Sequence, residues 1–109
     1  MNISLAQSTG QTFVPVLTIK RDIHDLASIL SVGIEKGEDD LDSYDIAFVH
    51  LDTNVFCLVH YRGTGKGMTE VGIPPKLPDY HLFVEQVIHA LRIDKADVIL
   101  REVNYSHYQ

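Results

Sequence analysis

The sequence predicts an α+β fold of the ferredoxin-like plan, with two helices on one face of a four-stranded antiparallel sheet. Several segments are rich in β-branched and aromatic residues, and two others carry apolar residues at helical spacing. Their order along the chain reads β-α-β-β-α-β. Since 109 residues are enough to bury one hydrophobic core, residues 1–109 are expected to form a single domain.

The first strand is predicted within residues 12–20, where β-branched residues are frequent. Pro15 has no backbone N–H donor, so we expect the well-paired part of the strand to begin after it, or Pro15 to face an unpaired edge. Residues 1–11 are expected to form an extra N-terminal strand or arm.

The first helix is predicted in the segment DIHDLASILSVGIEKG. Asp22 is the candidate N-cap and Gly37 the candidate stop. Apolar residues follow one another at helical spacing, at Ile23, Leu26, Ala27, Leu30 and Ile34. The acidic run EDDLD after it predicts a solvated loop.

The segments YDIAFVHL and VFCLVHYR are predicted to form a β-hairpin. A two-residue loop at Thr53-Asn54 gives one register, and a three-residue loop is the alternative. In the first register, one sheet face carries Tyr44, Ile46, Phe48, Val59 and Tyr61, and the other carries Ala47, Val49, Leu51, Phe56 and Leu58. Because two helices can cover only one apolar face, the first set predicts an interface with a second copy, a partner or a ligand.

The second helix is predicted in PDYHLFVEQVIHALRID, with its start marked by Pro78 and Asp79. The segment ADVILREVNY predicts the last strand, and residues 105–109 are expected to be a frayed tail. His81, Glu85 and His89 share one helix face, as metal ligands would. A solvated face explains the same spacing, so no metal site is predicted there.

Composition restricts the partners and the cellular compartment expected for the protein. The formal net charge is −6, which disfavours binding to nucleic acid through its phosphate backbone. No segment approaches the length of a membrane span, and no membrane partner is expected. The lone Cys57 lies in an apolar run and favours a reducing compartment, so a cytoplasmic location is predicted.

The glycine-rich segment between Arg62 and Gly72 is a candidate anion-binding loop. Glycines allow close backbone approach to a ligand, and two cationic side chains supply donors. The candidate ligands are His60, Arg62, Gly63, Gly65, Lys66 and Gly67. The spacing matches neither a Walker A loop nor a dinucleotide fingerprint, and a mobile connector explains the glycines equally well.

Enzyme chemistry finds no support in the sequence, so catalysis is not expected. There is no GxSxG nucleophile elbow, and a buried Cys57 is a poor nucleophile. No catalytic residue, cofactor or metal is predicted. The leading hypothesis is a small acidic binding or regulatory module that acts through protein recognition as a homodimer. The alternative is a small-ligand protein, or an enzyme, that holds a phosphorylated ligand at residues 62–72.

Overall fold

The computed structural model describes residues 3–5, 13–38, 43–63 and 67–101 of the chain. They form two helices, a single 3-10 turn and seven strands. The elements are β1 (Ile3–Leu5), β2 (Val14–Ile19), α1 (Ile23–Leu30), β3 (Glu35–Glu38), β4 (Ser43–Leu51), β5 (Asn54–Tyr61), β6 (Thr69–Ile73), α2 (Tyr80–Ala90), the 3-10 turn (Lys95–Asp97) and β7 (Val98–Arg101).

The strands form one antiparallel sheet in the order β1-β4-β5-β6-β2-β7, and β3 also pairs with β4. β1 pairs with residues 49–51 of β4, whereas β3 pairs with residues 43–46. Both short strands therefore share one edge of β4, and the seven strands occupy six positions across the sheet.

The ferredoxin-like prediction is wrong, although the α+β class is confirmed. The four-stranded plan lacks three strands that the structure contains. β3 lies in the segment predicted as the end of the first helix, and β6 lies in the segment predicted as a connector. β6 is inserted between β5 and β2, so the middle of the sheet is built differently from the predicted plan. The third, β1, lies within residues 1–11, where an extra strand or arm was expected.

Helix α1 begins as predicted and ends earlier. The Asp22 side chain accepts a hydrogen bond from the backbone N–H of His24 at 2.8 Å, which is N-cap geometry. Ser31 adopts a left-handed conformation with φ of 57°, and its N–H donates to carbonyls of the last turn. Ile34 thus lies outside the helix, where it still packs against the core.

The β4-β5 hairpin is confirmed, with its two-residue loop at Asp52-Thr53 rather than Thr53-Asn54. Leu51 pairs with Asn54, and Asp52 takes a positive φ of 57°. Moving the loop by one residue shifts the register by two positions, so every side chain stays on its predicted face. Both predicted face assignments are therefore confirmed.

Both helices pack on the same face of the sheet. Their buried side chains belong to one hydrophobic cluster, and the ring centroids of Phe56 on β5 and Phe83 on α2 lie 6.4 Å apart. The sheet contributes Val14, Val16, Leu17, Ile19, Ala47, Val49, Leu51, Phe56, Leu58, Val71 and Ile73 to this cluster. The predicted second helix and last strand are also present, while the predicted tail at 105–109 lies outside the described residues.

Pro15 lies within β2, opposite Gly72 of β6, and a β-bulge follows it before Leu17. The pairing of β2 with β7 extends only from Ile19 to Leu17 among the described residues. Residues 102–109 lie outside the described residues, so the unpaired edge expected for Pro15 stays a prediction. Of the helices described, neither has the length and apolar character needed to cross a membrane.

Candidate functional site

The sheet face opposite the helices, hereafter the open face, carries apolar side chains. Phe48 and Cys57 are cross-strand partners that are 9% and 3% exposed, and they form the centre of a second hydrophobic cluster. Phe13, Ile46, Val55 and Val59 pack against this pair and are only partly buried. Of the two helices described, neither covers this cluster, and the partly buried residues around Phe48 and Cys57 provide its exposed apolar surface.

A groove of about 240 Å³, hereafter the sheet groove, lies in the open face. It is lined by Phe13, Pro15, Tyr44, Ile46, Cys57, Val59, Tyr61, Glu70 and Gly72. Gly72 lines the groove without a side chain. A Cβ atom at this position would lie 2.8 Å from the Cys57 sulfur, which is too close. It would also lie 3.1 Å from Cβ of Phe13.

Two aromatic pairs border this region. Tyr44 and Tyr61 are cross-strand partners whose ring centroids are 5.5 Å apart and whose planes are tilted by 58°. The Phe13 and Phe48 centroids are 5.8 Å apart. The Tyr44 ring lies over Gly37 on β3, where a Cβ atom would overlap with it. The Tyr44 ring can lie there because Gly37 has no Cβ atom.

Glu70 places one carboxylate in the middle of the open face. Its strand lies between β5 and β2, and its cross-strand partners are Val59 and Thr18. The side chain is half-buried and lines the sheet groove. The ion pairs seen between described residues include Asp45 and Glu85 as acids, and none of them involves Glu70. The groove is consequently apolar and aromatic with one acidic group.

The Cys57 thiol at the groove is held in its protonated form. Burial raises the pKa of this thiol to about 12, and the negative charge of Glu70 adds to the effect. A hydrogen bond with the backbone of Gly72 acts in the opposite direction and is outweighed. Because the thiolate is the nucleophile, Cys57 is unsuited to nucleophilic catalysis at neutral pH, as its apolar sequence context predicts.

The structure brings together all five residues predicted for an interface. Tyr44, Ile46 and Phe48 on β4 lie beside Val59 and Tyr61 on β5, on the open face. All except Phe48 are only partly buried. The prediction that another protein covers them remains a prediction.

The described residues of the candidate anion site do not lie at one common cavity. A ring nitrogen of His60 lies 2.7 Å from the backbone oxygen of Met68, whereas Arg62 is exposed and lines a separate cavity with Lys36 and Tyr44. His60 does not line that cavity. Gly63 is exposed, and Gly67 has a positive φ of 76°. Gly65 and Lys66 lie outside the described residues.

The anion site therefore stays a prediction, and thermal unfolding tests it. If the loop binds phosphate, phosphate at about 100 times its Kd should stabilise the protein by about 2.7 kcal/mol, which corresponds to a rise in Tm on the order of 10 °C. An Arg62→Ala/Lys66→Ala variant should lose that rise. An equal rise in the variant, or none in the wild type, would remove the loop from consideration.

The helix face with His81, Glu85 and His89 is solvent-exposed. Glu85 accepts a hydrogen bond from Arg101 at 2.8 Å, so its carboxylate serves a surface ion pair. Within the described ranges, no group of three His, Cys, Asp or Glu side chains is placed to hold a metal ion. Near the start of α1, Asp45 lies 3.5 Å from Lys36 and 3.9 Å from His24.

The sequence reasoning missed the contributions of Phe13, Glu70 and Gly72 to the open face. A signal was present in the segment TEVGI, where Thr69, Val71 and Ile73 alternate with Glu70 and Gly72. The structure buries the first set and directs Glu70 to the groove. Reading this alternation as a strand would have placed the carboxylate on one sheet face.

Comparison with known proteins found no matching family model, no matching curated protein and no matching solved structure. The fold defines an α+β protein whose antiparallel sheet has both helices on one face.

Proposed function

We propose that the protein is a non-enzymatic binding module that recognises another protein through the open face of its sheet. The observation that supports this most is the apolar cluster around Phe48 and Cys57 on the side opposite both helices. Removal of an apolar sheet face from water by a partner lowers the free energy of the complex. The protonated Cys57 thiol at the groove supports binding rather than nucleophilic chemistry.

A second copy of the chain is the first partner to test, because the sequence predicts a homodimer. Two such faces can pack as the layers of a sandwich, with side chains of Tyr44, Phe48 and Val59 interdigitating. A buried, unpaired Cys57 also favours a reducing compartment, and we place this recognition in the cytoplasm.

The oligomeric state tests this partner directly. We expect wild-type protein to sediment as a dimer in analytical ultracentrifugation and Ile46→Asp to sediment as a monomer. Ile46 is half-buried on the open face, and a carboxylate there would be desolvated in the dimer without a cation to pair with.

The matched control is Leu82→Asp, which places the same charge on an exposed apolar residue of α2. It should leave the dimer intact, and circular dichroism should show both variants folded. A wild-type protein that remains monomeric at high concentration would exclude the second copy as the partner.

A further inference from the structure

We infer that the sheet groove binds the side chain of a lysine or arginine that a basic segment of another protein presents. This inference rests on the proposed recognition through the open face and specifies the chemistry of the partner. Three features support it: the carboxylate of Glu70, the tyrosine rings beside it and the acidic charge of the chain.

Glu70 supplies the acidic group. Its carboxylate is half-buried between Val59 and Thr18, and none of the ion pairs seen between described residues involves it. A partner that covers the groove removes the carboxylate from water, which is unfavourable unless the partner brings an opposite charge. The groove thus favours a partner that presents a basic side chain.

The aromatic and apolar residues that line the groove suit the cation and the methylene groups of a lysine or arginine side chain. Tyr44 and Tyr61 line the groove beside Glu70, and a cation close to a tyrosine ring face is attracted by the ring quadrupole. Ile46 and Val59 offer apolar surface for the methylene groups. The volume of about 240 Å³ corresponds to roughly eight waters at about 30 Å³ each, which accommodates one long side chain.

The net charge of the whole chain also favours a basic partner. With a formal net charge of −6, the protein attracts basic segments and repels acidic ones. Such attraction weakens with added salt, because mobile ions screen it. Binding at the groove should therefore be stronger at low ionic strength and selective for a positive charge.

The test compares three fluorescent peptides that differ at one position. The first has the sequence Leu-Val-Lys-Val-Leu, and the others carry norleucine or glutamate in place of lysine. Fluorescence anisotropy with the full chain should show the lysine peptide binding about tenfold more tightly than the norleucine peptide, with the glutamate peptide weakest. Glu70→Gln should remove most of this difference, whereas Glu35→Gln, at an exposed position of β3, should retain it.

Several outcomes would overturn the inference. Equal binding of the lysine and norleucine peptides would show that charge is not recognised, and equal loss in Glu70→Gln and Glu35→Gln would show that the groove is not the site. A wild-type dimer that Glu70→Gln dissociates would assign the groove to a second copy. If no peptide binds while a dimer sensitive to Ile46→Asp forms, this inference fails and recognition through the open face stands.

Discussion

Replacing Phe56 with alanine is expected to destabilise the protein by about 3–5 kcal/mol. Phe56 is fully buried in the cluster between the sheet and the helices, with its ring against Phe83. Truncation removes its apolar contacts and leaves a cavity between β5 and α2, because close-packed neighbours relax only partly. Urea unfolding monitored by circular dichroism measures the loss.

A loss of this size is a large fraction of the stability of a typical domain, so a milder variant is needed beside it. Phe56→Leu keeps part of the volume and should show a smaller loss that can be measured even if the alanine variant does not fold. Leu82→Ala is the surface control, since this side chain is 55% exposed and its removal should change stability by about 0.5 kcal/mol or less. Equal losses for Phe56→Leu and Leu82→Ala would contradict the packing described for Phe56.

The longer elements were the ones that the sequence predicted well. Strands β4 and β5 are eight or nine residues long and rich in β-branched and aromatic side chains, and helix α2 repeats its apolar positions over three turns. These patterns alone determine which residues share a face. The two opposed sets of the hairpin were therefore correct even though the loop was displaced by one residue.

Strand β3 was not predicted because it depends on pairing with β4 rather than on its own residues. β3 has the sequence EKGE, which is mostly polar and exposed and has little strand propensity of its own. Its pairing with β4 makes it a strand. The apolar spacing that predicts a longer helix extends to Ile34, but the left-handed Ser31 ends the helix first, and the sequence has no glycine there to signal it.

The candidate site was predictable only in part for the same reason. Tyr44, Ile46, Phe48, Val59 and Tyr61 follow from the hairpin pattern. Glu70 and Gly72 belong to β6, and their position in the groove depends on β6 lying between β5 and β2. That strand order is a tertiary property, so local alternation could assign Glu70 to one face of a strand but could not place it in the groove.

Raising the pH through the range from about 9 to 12 is expected to destabilise wild-type protein more than Cys57→Ala. The folded state holds the pKa of the Cys57 thiol at about 12, compared with an ordinary value of 9.0. Above the unfolded pKa, the unfolded chain has lost the thiol proton while the folded chain keeps it. Stability is therefore fully present below about pH 9 and falls as the pH rises, by about 4 kcal/mol at most once the folded pKa is reached.

Urea unfolding of the two proteins at about pH 8 and about pH 10 measures this effect, with an expected additional loss of about 1.4 kcal/mol in the wild type over that interval. Lysine and tyrosine titration is common to both proteins, so the difference between them isolates the thiol. Identical pH dependence would mean that Cys57 is not shielded from water. Because the charge of Glu70 adds to the raised pKa, Glu70→Gln should reduce the difference. The thiol would then report the same negative charge in the groove that is proposed to bind a basic side chain.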